Sequence, residues 1–418
     1  MARGRSEEIA RRTRAPLAAT VNQLLKPKGR ALGGRPMKVD GKKLQPTREW
    51  GHDAMWWLDR AVRTRHPLVE RMTLNWHDHF ATTGEAINEP ALMLRQYWTL
   101  RRHALGSFHQ LARSVVRDGA MQLFLSLEGS SKEDPNENFA REFFELFTLG
   151  VNNGYTEHDV REASRAFTGF TYDEKRKRFG WDDESHDHGV KRILGKQGRF
   201  GPMDVVSIAV NHPNHAPFVC TKLWNYFSPN PPPKALLRKM VRAYRRANFN
   251  VRPVLRLILT SPALYRRLDQ PDMVKPPLVY LAGMMRQTRW RPDGQDHWAW
   301  MLFLMGQRPF HPPSVAGWDQ NTAWISSHTT LARYQAANAV LGKRIQDGDI
   351  PENESVEQAL RRARKAVGDP RTSAMTKRAM RRYAKRVVRH PWSKQHYAAE
   401  RQRGLRHMLL AGPDAQVC

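Results

Sequence analysis

The sequence predicts an all-α protein: a large, mainly helical domain with long irregular loops and little or no sheet. Three observations carry this. Apolar residues recur at three- and four-residue spacing over most of the chain. Helix start and stop signals punctuate those stretches. Hydrophobic residues make up 40% of 418 residues, with 13 Trp and 16 Phe, enough bulky material for a sizeable core.

Taken in order, residues 26–50 are rich in Lys, Arg, Gly and Pro without an apolar period, and read as a mobile arm or long loop. Helical spacing begins at Trp56 with Trp57, Leu58, Ala61 and Val62, and continues through Leu68, Met72 and Leu74. Residues 91–127 follow the same style, from Leu92 to Val115. Asp134-Pro135-Asn136-Glu137 reads as a cap at Asp134, Pro at the first helical position and Glu three residues after the cap, opening a helix over about 137–149 that stops near Gly150. Thr156 to Asp159 reads as a capping box, with Val160, Ala163 and Phe167 as the apolar stripe and Gly169 as the stop. Residues 170–203 fit a short hairpin or irregular loop. Helices are expected at about 204–227, 234–247 and 251–260, with 228–233 as a proline-rigid connector. Residues 296–306 are apolar, 307–326 read as loop, and 328–342 and 355–411 as helix. No internal repeat at a solenoid period is present.

Charge divides the chain unevenly. The formal total is +29. Residues 1–50 hold 13 basic and 4 acidic side chains, and 343–418 hold 18 and 8. The expected organisation is a basic N-terminal helix and arm (1–50), a helical core (51–342) and a basic helical C-terminal region (343–418). Basic ends suit a polyanion such as nucleic acid or an envelope polymer, or simply a solvated surface. Cys220 and Cys418 indicate neither a disulfide framework nor a cysteine zinc site. No apolar run reaches about 18 residues, so no membrane span is expected. No secretory signal follows Met1, so the expected location is the cytoplasm.

Several segments together carry a resemblance. They are Trp76-His77-Asp78-His79-Phe80, the run from Asn136 to Gly150, Tyr155-Thr156-Glu157, Ala166-Phe167-Thr168-Gly169, and His186-Asp187 with Gly189 and Lys191. His212-Pro213, Lys222-Leu223-Trp224, and Pro312-Pro313-Ser314-Val315-Ala316-Gly317-Trp318 with Trp324 and Arg333 complete the pattern. In this order, over about residues 55–340, they resemble the bacterial domain-of-unknown-function family numbered 1800. The resemblance implies a large helical fold and no established activity. It also implies frequent export and a frequent neighbour similar to alkaline phosphatases and sulfatases, hence a phosphatase-like partner. The usual Leu-Leu-Arg-Arg-Ala-Gly-Phe-Gly-like opening is not matched. Leu127-Glu128-Gly129 stands where the family tends to have Leu-Asp-Asn.

The chemistry-bearing residues gather in three segments. On the 137–149 helix, 100° per residue puts Asn138, Arg141, Glu142 and Glu145 on one face and Phe139, Phe143, Leu146 and Phe147 on the other. His77 and His79 flank Asp78; an extended segment would point both imidazoles one way, a helix would make them diverge. His186-Asp187-His188 offers the same side-chain types. The expectation is a metal site assembled from His77, His79, Glu142, Glu145, His186 and Asp187, suited to zinc, iron or manganese. Glu142, Glu145, Arg141, Asp187 and Lys191 are the catalytic candidates, for hydrolytic or redox chemistry. The alternative for the same residues is a structural polar network, with Arg141 and Glu145 as an i,i+4 pair. Gly317 to Asn321 with Trp324 reads either as a stacking surface or as a Trp-anchored loop on the core. No Gly-rich phosphate loop, nucleophile elbow or His-Glu-x-x-His helix occurs.

Overall fold

The computed structural model describes residues 16–418 apart from 174, 177, 267–270, 290–296, 343–349, 352 and 388–393. The helices are α1 (Leu17–Leu25), α2 (His52–Arg63), α3 (Pro67–His79), α4 (Pro90–His103), α5 (Phe108–Val116) and α6 (Glu137–Glu142). They continue with α7 (Glu157–Ala166), α8 (Pro202–Asn211), α9 (His215–Asn225), α10 (Lys234–Arg246) and α11 (Val251–Thr260). The last third adds α12 (Pro277–Gln287), α13 (His297–Leu304), α14 (Ser327–Leu341), α15 (Val356–Ala366), α16 (Ala374–Val387) and α17 (Lys394–Ala411). Three two-stranded antiparallel hairpins are the only named sheets among the described residues: β1–β2 (Lys38–Val39, Lys42–Lys43), β3–β4 (Phe170–Asp173, Arg178–Trp181) and β5–β6 (Lys191–Ile193, Lys196–Gly198). The protein is therefore predominantly helical. Residues 26–50 contain the first hairpin, and the 170–203 segment folds as two hairpins rather than one.

Local chemistry explains the boundaries. Pro67, Pro90, Pro202 and Pro277 occupy first helical positions, where a missing N–H costs nothing. Thr156 and Asp159 form the expected capping box. The cap before α6 is Asn136, whose side chain accepts from the Asn138 N–H, and not Asp134. Asn136 wins because its amide also donates to the carbonyls of Leu125 and Ser126, at 2.9 and 2.6 Å, tying the helix start to the preceding turn.

Two apolar clusters form the interior. One gathers α1, α5, α6, α7, α8, α9, α10 and α11 around Trp76, Phe80, Phe108 and Phe147. The other gathers α2, α12, α13, α14, α15, α16 and α17 around Trp57, Trp298 and Leu302. Helices α3 and α4 serve both: Trp76 and Leu100 face the first, Leu74 and Tyr97 the second. The C-terminal helices bury Ala359, Ala363, Met380, Leu405 and Leu409 in the second cluster, so this basic region is core-bearing. No described helix is long and apolar enough to cross a membrane.

The expected 137–149 helix is α-helical only to Glu142 and continues as a π-helix, Phe143–Thr148. At its C-terminal end the carbonyls of Phe147 and Thr148 have no intrahelical partner and are met by side chains from elsewhere. His79 bonds the first at 3.0 Å and His215 the second at 2.9 Å. π-turns are often found at functional sites.

Candidate functional site

Helix α3 separates the two histidines, as helical geometry requires. The His77 ring lies between Trp57, Phe310 and Trp318, and its Nε2 accepts the Phe310 N–H at 3.1 Å. Burial pushes its pKa down to about 3. His79 lies among Trp76, Phe80, Phe108, Phe147 and Phe218, and burial holds its pKa well below the usual imidazole value. Both rings are neutral, each with one nitrogen engaged by backbone.

The remaining candidates occupy two other places. Arg141 makes a paired contact with Glu157 at 2.7 and 2.8 Å, and reaches Glu137 and Glu145 at 3.5 and 3.9 Å. Glu142, half-buried beside Glu145, has its carboxyl raised by burial and by that like charge. In the third place, His186 bonds Thr168 through Nδ1. Asp187 accepts from Arg165 at 2.7 Å, and burial is outweighed there by that guanidinium, so its carboxyl is held low. The Lys191 ammonium, fully buried, donates to the carbonyls of Asp187 and Gly189. Thus Asp187 and Lys191 do meet, around Arg165, as the lock of a tight turn. The six-residue metal set is not assembled: among the described residues no group of three or more His, Cys, Asp or Glu is placed to hold one ion. Each member instead has its own neighbours, because α3, the π-turn and the β5 turn carry them on different elements.

What the fold does assemble lies one residue from both histidines. Asp78 accepts the Trp318 N–H at 2.8 Å and the Gln320 amide at 2.9 Å. Gly317, at φ +86°, makes this embrace feasible: a Cβ there would lie 2.5 Å from Asp78 oxygen atoms. Thus consecutive residues of α3 pin one loop, His77 at Phe310 and Asp78 at Trp318. Trp318 and Trp324 are buried, so this loop is anchored on the core and is not an open stacking surface.

The Asp78 carboxyl is pushed up to about 6 by burial, against the lowering effects of Trp318, Lys222 and Gln320. Lys222 on α9 is an exposed residue, yet its ammonium lies 5.5 Å from the Phe218 ring centre and desolvation lowers its pKa. The two charges influence each other without forming an ion pair among the described residues. One turn further along, buried Tyr226 donates to the Arg71 carbonyl at 2.9 Å, and the Arg71 guanidinium stacks on its ring at 4.9 Å. Nε and Nη1 of Arg71 are closed off from solvent with no acceptor. A desolvated guanidinium without a carboxylate is costly.

Sequence reasoning named Asp78 only as the residue between two histidines, and Lys222 only as part of a motif segment. The available signal was that Asp78, Lys222 and Gly317-Trp318 all lie in the family's motif segments. Charge type alone could not pair them across 144 and 239 residues of chain.

No curated protein and no solved structure matches the chain. The family model described as "Protein of unknown function (DUF1800)" matches residues 4–417, including both basic ends. The chain therefore belongs to the DUF1800 family.

Proposed function

We propose that the chain is a hydrolase whose proton-transfer pair is Asp78 and Lys222, acting on a small ester or phosphoester. The observation that supports this is a carboxyl with a pKa of about 6 and a desolvated ammonium that influence each other without an ion pair among the described residues. A group titrating near the working pH is the efficient proton carrier. Asp78 accepts a proton from the attacking water. Lys222 faces the ester oxygen that gains charge. The proton then passes to the leaving alkoxide. Arg71 supplies further positive charge on the Tyr226 side.

The test is hydrolysis of p-nitrophenyl acetate and p-nitrophenyl phosphate from pH 5 to 9. The expected rate rises through about pH 6 with Asp78 ionisation. Asp78→Asn and Lys222→Met each lower it by about 100-fold or more, the usual worth of a general base or charge stabiliser. A rate equal in wild type and both variants sinks the proposal.

A second reading is polyanion binding along α16. Lys377, Arg378, Arg381, Arg382, Lys385 and Arg386 are all exposed there, with no acidic residue between them. Reversing Arg378, Arg382 and Lys385 to Glu should weaken heparin retention and its salt dependence. Unchanged retention overturns it. Deleting 343–418 is the poorer test, since it strips Leu405 and Leu409 from the core.

A further inference from the structure

A pocket of about 280 Å³, a volume that includes open solvent, lies between α2, α4 and the segment at 308–311. Its walls are apolar: Gly84, Pro90, Met93, Leu94 and Phe310. Its polar end is a carboxylate–imidazole pair, Asp53 and His311. His311 Nε2 lies 2.8 Å from Asp53 Oδ2, so Nε2 carries the proton in the neutral ring. Nδ1 is then a lone-pair acceptor. It is closed off from water and has no hydrogen-bond partner, with the Glu85 carboxylate nearest at 3.7 Å. The Glu85 side chain is 71% exposed and free to swing aside. Arg308, stacked on Trp50 at 5.1 Å, stands 3.5 Å from Asp53. Two carboxylates thus face one guanidinium at this end. Gly84 lets the wall close on the imidazole, since a Cβ there would come 3.2 Å from His311 Cε1.

We infer that this pocket is a second ligand site, for a small primary amine with an apolar body. The ammonium donates one hydrogen to His311 Nδ1 and another to Glu85, and the hydrocarbon lies against Met93, Leu94 and Phe310. An excess of carboxylate over guanidinium selects a cation over an anion of equal size. Much of that space is open to solvent, so only a short chain or single ring can be enclosed against the apolar wall.

The probe is n-hexylamine, titrated calorimetrically into the full chain, with 1-hexanol and hexanoate as comparison arms. The amine is expected to bind and hexanoate not to bind. Glu85→Gln should weaken the amine about tenfold, the loss of one charge-assisted hydrogen bond, and leave hexanol unchanged. Leu94→Trp, which narrows the pocket from a half-buried position, should abolish both. Circular dichroism checks that each variant is folded, and ring nitrogen chemical shifts of His311 report the contact directly. Three outcomes overturn the inference: no amine binding, hexanoate binding as well as the amine, or amine binding unaffected by both variants. The p-nitrophenyl ester rates, set at Asp78 and Lys222, do not bear on it.

Discussion

Two aspartates on neighbouring helices show how surroundings decide what a carboxylate is for. Asp53 at the start of α2 and Asp78 near the end of α3 are both half-buried. Burial raises the proton affinity of each. At Asp53 the His311 hydrogen bond and the nearby Arg308 charge outweigh burial, and the carboxyl ends up held low. At Asp78 the partners are a neutral N–H, a neutral amide and a distant ammonium, and burial prevails. The lesson is that hydrogen bonds from neutral groups fix a carboxylate in place, whereas a cation in contact fixes its charge.

The largest way to break this contrast is to spoil the Asp78 cradle. Gly317→Ala forces a Cβ into Asp78 and demands φ +86° of a non-glycine residue. A loss of about 3–4 kcal/mol is expected in urea unfolding, because strain and a steric clash combine. A loss under about 1 kcal/mol would show that the loop does not depend on this approach.

Next comes the pair of isosteric changes. Asp53→Asn leaves Arg308 without its counter-ion and weakens the bond that His311 Nε2 donates, and should destabilise by about 2 kcal/mol at pH 7, reduced from a fully buried pair because its side chain is 17% exposed. Asp78→Asn keeps the Trp318 bond and removes a charge that the folded state disfavours, so its effect at pH 8 should be zero to about 1 kcal/mol stabilising. Equal losses in the two variants would erase the distinction.

The pH dependence sharpens it further. Folded Asp78 binds its proton more tightly than the ordinary carboxyl at 3.8. Its contribution is therefore full below about pH 4 and is lost as pH rises through about 6. Asp53 has the opposite sign: its contribution is present above the ordinary carboxyl pKa and lost as pH falls through its lowered value. Asp78→Asn should flatten a decline of roughly 2 kcal/mol between pH 4 and 7. Chemical denaturation across that range measures it, and an unchanged slope would contradict the assignment.

The smallest effect belongs to the surface. Arg141→Ala removes the exposed contact with Glu157 and should cost about 0.5 kcal/mol. A cost of several kcal/mol would give this face a burden that its exposure does not support.

Much of the architecture was readable from residue order. The helix start at Thr156, the helix end before Ser261-Pro262, the connector at 228–233 and the helical class all follow from local chemistry and periodicity. The divergence of His77 and His79 followed from 3.6 residues per turn once Trp76–His79 is helical. The π-turn did not follow, because its Phe-rich run has ordinary helical spacing. The carbonyl partners that accompany it, His79 and His215, arrive from 68 and 67 residues away. Of the candidate residues, the sequence marked His77 and His79 as a pair, and the fold gives each ring its own aromatic surroundings.

The chain alone determined its helical character, its basic surplus and the family to which it belongs, since these depend on composition and short-range pattern. Tertiary packing decided which polar side chains share a space. A loop closing on α3 through a glycine brought Trp318 to Asp78, and α9 brought the Lys222 charge within electrostatic range of it. Such meetings depend on long-range closure, and that closure decides which partner each charge keeps when water is excluded.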